Sequence, residues 1–212
     1  MTIKEAQEIT GGLSDPSKMP GKSYSLPSER CITGSILRRI EGSVCSNCYA
    51  CKGTYRFGNV RNALDRRYRS LDHPQWAEAM ETLIKNEPCS YFRWHDSGDI
   101  QSYEHFLNIT EVCERCPGYY FQIPTREYHI IFKYIEEYPV PDNLVIRLSS
   151  FMIDGRSLPD TGDLPVARSL VYNDPEKAPE GYVCPATTVR HKCENCRACW
   201  SKDAECIIFR EH

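Results

Sequence analysis

The chain has 212 residues, 26 basic against 29 acidic side chains, and a formal net charge of -3. That length suits one sizeable core, or one domain with a metal-stapled appendage, and the charge gives no global pull toward nucleic acid, so such binding would need a local basic patch. No apolar run approaches the roughly twenty residues of a membrane span, and Met1–Glu8 lacks the basic-then-apolar layout of a signal peptide. The expected compartment is therefore the cytosol, where thiols stay reduced, and 12 cysteines there point to metal ligation rather than to disulfides.

Residues 1–24 are polar and carry Gly11, Gly12, Pro16, Pro20 and Gly21, so a flexible N-terminal arm is expected, with 25–212 as a single domain. Residues 23–27 read as a short strand. Val60, Leu64, Tyr68 and Leu71 then recur at helical spacing, with Arg61, Arg66, Arg67 and Arg69 on the other face. Pro74 opens a second helix that carries Trp76, Met80, Leu83 and Ile84 on one side. Strands are expected at 91–95, 119–123, 144–148 and 169–172, with helices through Phe106–Cys113 and Ile130–Ile135 between the first three. Strand and helix in alternation predict an α/β fold, a parallel sheet built from βαβ units, curled into a partial or distorted barrel with cysteine-rich metal-binding loops.

Function in such sheets collects at the carboxyl ends of the strands. That rule singles out His95-Asp96-Ser97-Gly98-Asp99, Thr125-Arg126-Glu127 and Ser149-Ser150. His95, Asp96, Asp99 and Arg126 are the candidate catalytic groups, able to move protons or clamp an anion, and Ser97, Gly98 and Ser149 are candidates for contacting a cofactor. An Asx-type turn that caps the next helix is the plainer reading of Asp96 and Asp99, and a satisfied core histidine that of His95. The arginine face at Arg61–Arg69, with Tyr55 and Phe57 beside it, reads either as a solvated surface or as a track for phosphates and bases.

The cysteines carry the sharpest signal. Cys184-Pro185 is followed by Cys193, Cys196, Cys199 and Trp200, a C-x2-C-x2-C run with a remote fourth cysteine. This segment, 184–200, has the pattern that wraps a [4Fe-4S] cube; tetrahedral zinc is the alternative, usually held by separated C-x2-C pairs. Trp200 would then shelter the centre from water. Cys31, Cys45 and Cys48 offer three more thiolates after the first candidate strand, with Cys51 in reserve. Three thiolates leave one iron open to an external ligand such as S-adenosylmethionine; four, with Cys51, make a closed structural site. The spacing leaves both open, as it does the sharing of one centre by the two regions. Cys113 fits the apolar face of its helix and is assigned to the core.

Together, Cys31-Ile32-Thr33-Gly34-Ser35, Gly42–Ala50, Lys52–Phe57, Trp94–Asp99 and the closing Cys193-x2-Cys196-x2-Cys199-Trp200 resemble the gene product 88 family of bacteriophage proteins, across most of the chain from about residue 25. The Cys-x2-Cys-Tyr-Ala segment also resembles proteins with radical-SAM-like barrels, although the 13-residue gap after Cys31 departs from their C-x3-C-x2-C spacing. The family pattern does not require a cysteine at 51. The resemblance implies an iron–sulfur protein made in the cytoplasm of an infected bacterial cell and implies no activity. The expectation is thus a phage protein holding one or two [4Fe-4S] clusters, with a redox or radical-SAM-like role. Its alternative is a non-enzymatic protein, stabilised by zinc or a cluster, that binds nucleic acid or a protein partner.

Overall fold

The computed structural model describes residues 1–155, 158, 161–187 and 192–211; positions 188–191 of the expected cysteine-rich segment lie outside these. The chain opens with helix α1 (Ile3–Thr10), strand β1 (Ser23–Tyr24) and helix α2 (Ile32–Leu37). Helices α3 (Gly58–Ser70) and α4 (Trp76–Lys85) follow, then β2 (Tyr91–Trp94), α5 (Tyr103–Arg115), β3 (Tyr120–Thr125), α6 (Tyr128–Glu137) and β4 (Leu144–Ile153). The last strands are β5 (Ala167–Tyr172), β6 (Tyr182–Val183) and β7 (Cys206–Arg210). Among the described residues, seven strands form one sheet in the order β1-β2-β3-β4-β5-β7-β6, all neighbours parallel. The α/β expectation holds. The sheet does not close, so β1 and β6 are its edges.

The pleat sorts side chains into two unlike faces. Phe92 and Trp94, Phe121 and Ile123, and Leu144, Ile146 and Leu148 share one apolar layer with Trp76, Met80 and Ile84 of α4, Phe106, Ile109 and Val112 of α5, and Ile130 and Ile131 of α6. Each large side chain buried there contributes about 1.5–3 kcal/mol. Cys113 and Cys116 are buried in this layer, as the helical spacing of Cys113 predicts. The opposite face is polar: the register aligns Ser23 with Arg93, Arg93 with Gln122, and Ser149 with Ser169.

Several elements differ from the sequence reading. The first residues are not a loose arm: Thr2 and Glu5 form a capping box on α1, and Ala6 is buried against Ala79 and Leu83 of α4. Arg67 leaves the basic face of α3 and turns inward, donating from Nε to the Gly12 carbonyl (2.6 Å) and from Nη2 to that of Leu13 (2.8 Å). Strand β3 runs through Pro124 because pairing with β2 stops at Gln122, so the missing N–H breaks no ladder there. Strand β4 continues to Ile153, and β6 and β7 extend the sheet beyond the expected strands. Among the described residues, no helix is long and apolar enough to cross a membrane.

The apolar layer also encloses two histidines. The rings of His95 and His105 lie 5.4 Å apart. Burial, aided by the charge of Arg93, pushes the His95 pKa down to about 4 despite the Tyr24 carbonyl at its Nδ1; burial and then His95 push that of His105 well below the usual value. Both are neutral when folded and take up protons when unfolded. Each therefore removes stability as pH falls below 6.5, at about 1.4 kcal/mol per pH unit. Asp99, pushed up to about 6 by burial, works in the opposite sense as pH falls from there toward 3.8. His105→Asn keeps an acceptor for the Gln101 N–H that His105 Nδ1 now receives. It is expected to remove about 1.4 kcal/mol per pH unit from the acid loss, read by urea denaturation at a series of pH values. An unchanged slope would show that His105 is already charged in the folded chain.

Candidate functional site

The cysteines of the two runs lie in two places, one set in loops that follow β1 and the other in the segment that follows β6. The first is built on short turns after β1. Cys31 closes the turn Ser28–Arg30 and precedes α2, while Cys45, Cys48 and Cys51 lie in or between the turns Val44–Asn47 and Tyr49–Cys51. This loop is laid across the end of β4, with Ile153 N–H donating to the Gly42 carbonyl (2.9 Å). Gly34 makes room for the sulfurs. A Cβ there would meet Cys31 Cβ at 2.9 Å and both Cys31 Sγ and Cys45 Sγ at 3.6 Å. Burial raises the thiol pKa of Cys31, Cys45 and Cys48, and the neighbouring cysteines raise them further; Arg38 pulls Cys31 and Cys45 down, and Arg126 pulls Cys45 down.

The second set is held against the polar face. Cys184 directly follows β6, its N–H donating to the Ile208 carbonyl (2.8 Å), and Cys193 N–H donates to the Lys18 carbonyl (2.9 Å). Trp200 is buried and donates from Nε1 to the Phe92 carbonyl (2.8 Å). Arg147, 1 % exposed, reaches from β4 to the carbonyls of Cys199 (3.0 Å), Ala198 (2.8 Å), Ser201 (3.0 Å) and Ala204 (2.7 Å). Burial raises the thiol pKa of Cys184 and Cys193 and pushes that of Cys199 up to about 11, where Arg93 and Arg147 oppose it. Arg93 acts on Cys184, Cys193 and Cys199 of this set and is near Tyr49 and Tyr55 of the first loop. Burial opposes its charge, yet Tyr49, Asp96, Cys199 and Tyr55 hold its pKa above the ordinary value. Its Nε is buried without a hydrogen-bond partner.

The strand-end residues divide by role. Asp96 accepts from Ser23 (3.0 Å) and Tyr55 (2.6 Å), and its carbonyl accepts from Tyr49, which ties the β2 end to the first cysteine loop. Asp99 accepts from Thr125 Oγ1 (2.6 Å) and from the N–H groups of Ile100 (2.8 Å) and Arg126 (2.9 Å); burial raises its pKa against these bonds. Arg126 donates from Nε to the Ser150 carbonyl (3.0 Å). His95, whose φ is 60°, turns its ring into the helix-covered layer against Trp94 and His105, so it lies in the core, with Nδ1 at the Tyr24 carbonyl and Nε2 buried without a hydrogen-bond partner. Ser97, proposed to contact a cofactor, instead donates to the Leu26 carbonyl (2.7 Å). Gly98 has φ of 82°, and a Cβ there would meet Leu26 Cβ at 2.6 Å, so this glycine permits the close approach of two backbones. Ser149 Oγ is 3.0 Å from Ser169 Oγ on the polar face.

Sequence reasoning missed Arg93 and Arg147, whose signal is a lone arginine at an alternating position of an otherwise apolar strand. It also missed what Glu127 does. This fully buried carboxylate accepts from Thr33 N–H (2.9 Å) and Thr33 Oγ1 (2.7 Å), capping α2 just after Cys31.

All 12 cysteines are free thiols. Among the described residues, no group of three or more His, Cys, Asp or Glu is drawn together as a site for a metal ion. The donor chemistry nevertheless fits a thiophilic metal: each set offers four soft sulfurs, half-buried or buried. Fold and sequence together define an open parallel α/β-sheet protein rich in cysteine. The family model for gene product 88 matches residues 2–202. The chain belongs to this family of phage proteins. No curated protein and no solved structure matches it.

Proposed function

We propose that this protein is an iron–sulfur protein of the phage-infected cell, using its two cysteine sets to hold [4Fe-4S] clusters in a redox role. The observation that supports this reading best is that Arg93 acts on Cys184, Cys193 and Cys199 of the tail and is acted on by Tyr49 and Tyr55 of the first cysteine loop, although the two segments come from opposite ends of the chain. The C-x2-C-x2-C run with a remote Cys-Pro favours a cube over a single zinc ion. A cluster bound there would supply one-electron transfer. The chain's own part is to orient and shelter: Arg147 and Trp200 pin the tail, and Arg93 offsets the negative charge that gathered thiolates carry. The reducing cytoplasm of the host is the compartment in which such thiols stay available.

Anaerobic purification, with iron, sulfide and zinc measured on the same sample as its absorption spectrum, tests the reading. A brown protein is expected, with about four irons for each filled set. Cys196→Ala is expected to remove the tail set's share. A colourless protein with stoichiometric zinc, or one with no metal, sinks the iron–sulfur assignment.

A further inference from the structure

The two cysteine sets repeat one layout. Each has a single cysteine followed, some residues later, by a C-x2-C-x2-C run: Cys31 before Cys45, Cys48 and Cys51, and Cys184 before Cys193, Cys196 and Cys199. The leading cysteines follow β1 and β6, the two edge strands of the sheet. A three-thiolate site has no use for Cys51, yet this residue is built into the first set as firmly as the others.

Successive three-residue turns join the run. Cys48 N–H donates to the Cys45 carbonyl (3.3 Å) and Cys51 N–H to the Cys48 carbonyl (3.2 Å), just as Cys196 N–H donates to the Cys193 carbonyl (2.7 Å). Ser28 then ties the end of the run back to its leading cysteine. Its carbonyl accepts from Cys31 N–H (3.3 Å), while its hydroxyl donates to the Ala50 carbonyl (3.1 Å) and lies 3.4 Å from Cys51 Sγ. Cys31 and Cys45 meet over Gly34, each sulfur 3.6 Å from the position a Cβ would take.

We propose that Cys31, Cys45, Cys48 and Cys51 form one closed four-thiolate centre, the counterpart of the tail set, with no ligand position left for an external molecule. This rests on the reading of the sets as metal-holding. It makes the protein a carrier of two closed centres and leaves S-adenosylmethionine no open iron at the first.

The test uses the full chain, loaded with iron and sulfide anaerobically and treated with iodoacetamide before and after chelation, with each cysteine followed by mass spectrometry. Cys89, half-buried and outside both sets, is the exposure control. Cys51 is expected to label at least about tenfold more slowly in the loaded chain than after chelation, together with Cys31, Cys45 and Cys48, while Cys89 labels alike in both. Cys51→Ala is expected to lose iron from the first set, and the reduced wild-type electron paramagnetic resonance spectrum to stay unchanged on adding S-adenosylmethionine. A loaded chain whose Cys51 labels as fast as when stripped overturns the closed centre alone, as does a spectrum that shifts with S-adenosylmethionine. A chain that takes up neither iron nor zinc overturns this inference and the iron–sulfur reading together.

Discussion

Replacing Arg147 by Met is expected to release the cysteine tail from the sheet and to lower stability by about 3–5 kcal/mol. Arg147 is nearly inaccessible and has no carboxylate partner among the described residues; what balances its burial is a ring of tail carbonyls from Ala198, Cys199, Ser201 and Ala204. Burial lowers its pKa, while Cys199 and Cys206 raise it. Methionine nearly fills the same space, so the loss falls on hydrogen bonds rather than on packing, and the carbonyls are left without donors. The denaturation midpoint in urea and the metal content of the tail set should fall together. Arg147→Lys should recover only part of both, because an ammonium is a point charge and cannot fork across several carbonyls. A wild-type midpoint in Arg147→Met would mean that Trp200 alone holds the tail.

Glu127→Ala is expected to do to the first cysteine loop what Arg147→Met does to the second, at a cost of about 2–4 kcal/mol. The carboxylate satisfies two donors of Thr33, at the start of a helix whose preceding residue, Cys31, provides no side-chain cap. Removing it frees α2 from the start of α6 and lets Cys31 drift away from Cys45. Some of the cost is offset because a buried charge disappears with it. Amide hydrogen exchange is the direct readout: protection across 33–37 should drop while that of α5 and α6 stays as in wild type. Unchanged protection of α2 would show that the turn over Gly34 fixes the loop without help.

Both residues stand in stretches whose secondary structure is plain from the sequence. Leu144-Val145-Ile146-Arg147-Leu148 is a short, mostly apolar run rich in branched residues, as a buried strand should be, and Ile130, Ile131 and Tyr134 mark the helix after Glu127. Neither pattern says what these charged groups grip, because their partners lie far along the chain and local periodicity carries no information about them. The same limit explains α1, which buries only Ala6 and Thr10, with Ala6 set against a helix some seventy residues on. It explains His95 as well. Its place at a strand end suggested chemistry, but the left-handed backbone turn sends the ring into the apolar layer.

The sequence by itself determined the α/β class, the central strands β2 to β5 with their helices, the buried place of Cys113 and the family. These depend on local periodicity, composition and short spacings, which a linear chain displays directly. Only the tertiary structure decided that the sheet stays open, that its polar face receives the tail through Arg147, and that Glu127 and Asp96 anchor the first loop. Each of these is a contact between segments distant in sequence, made possible when parallel pairing brings the strand ends together.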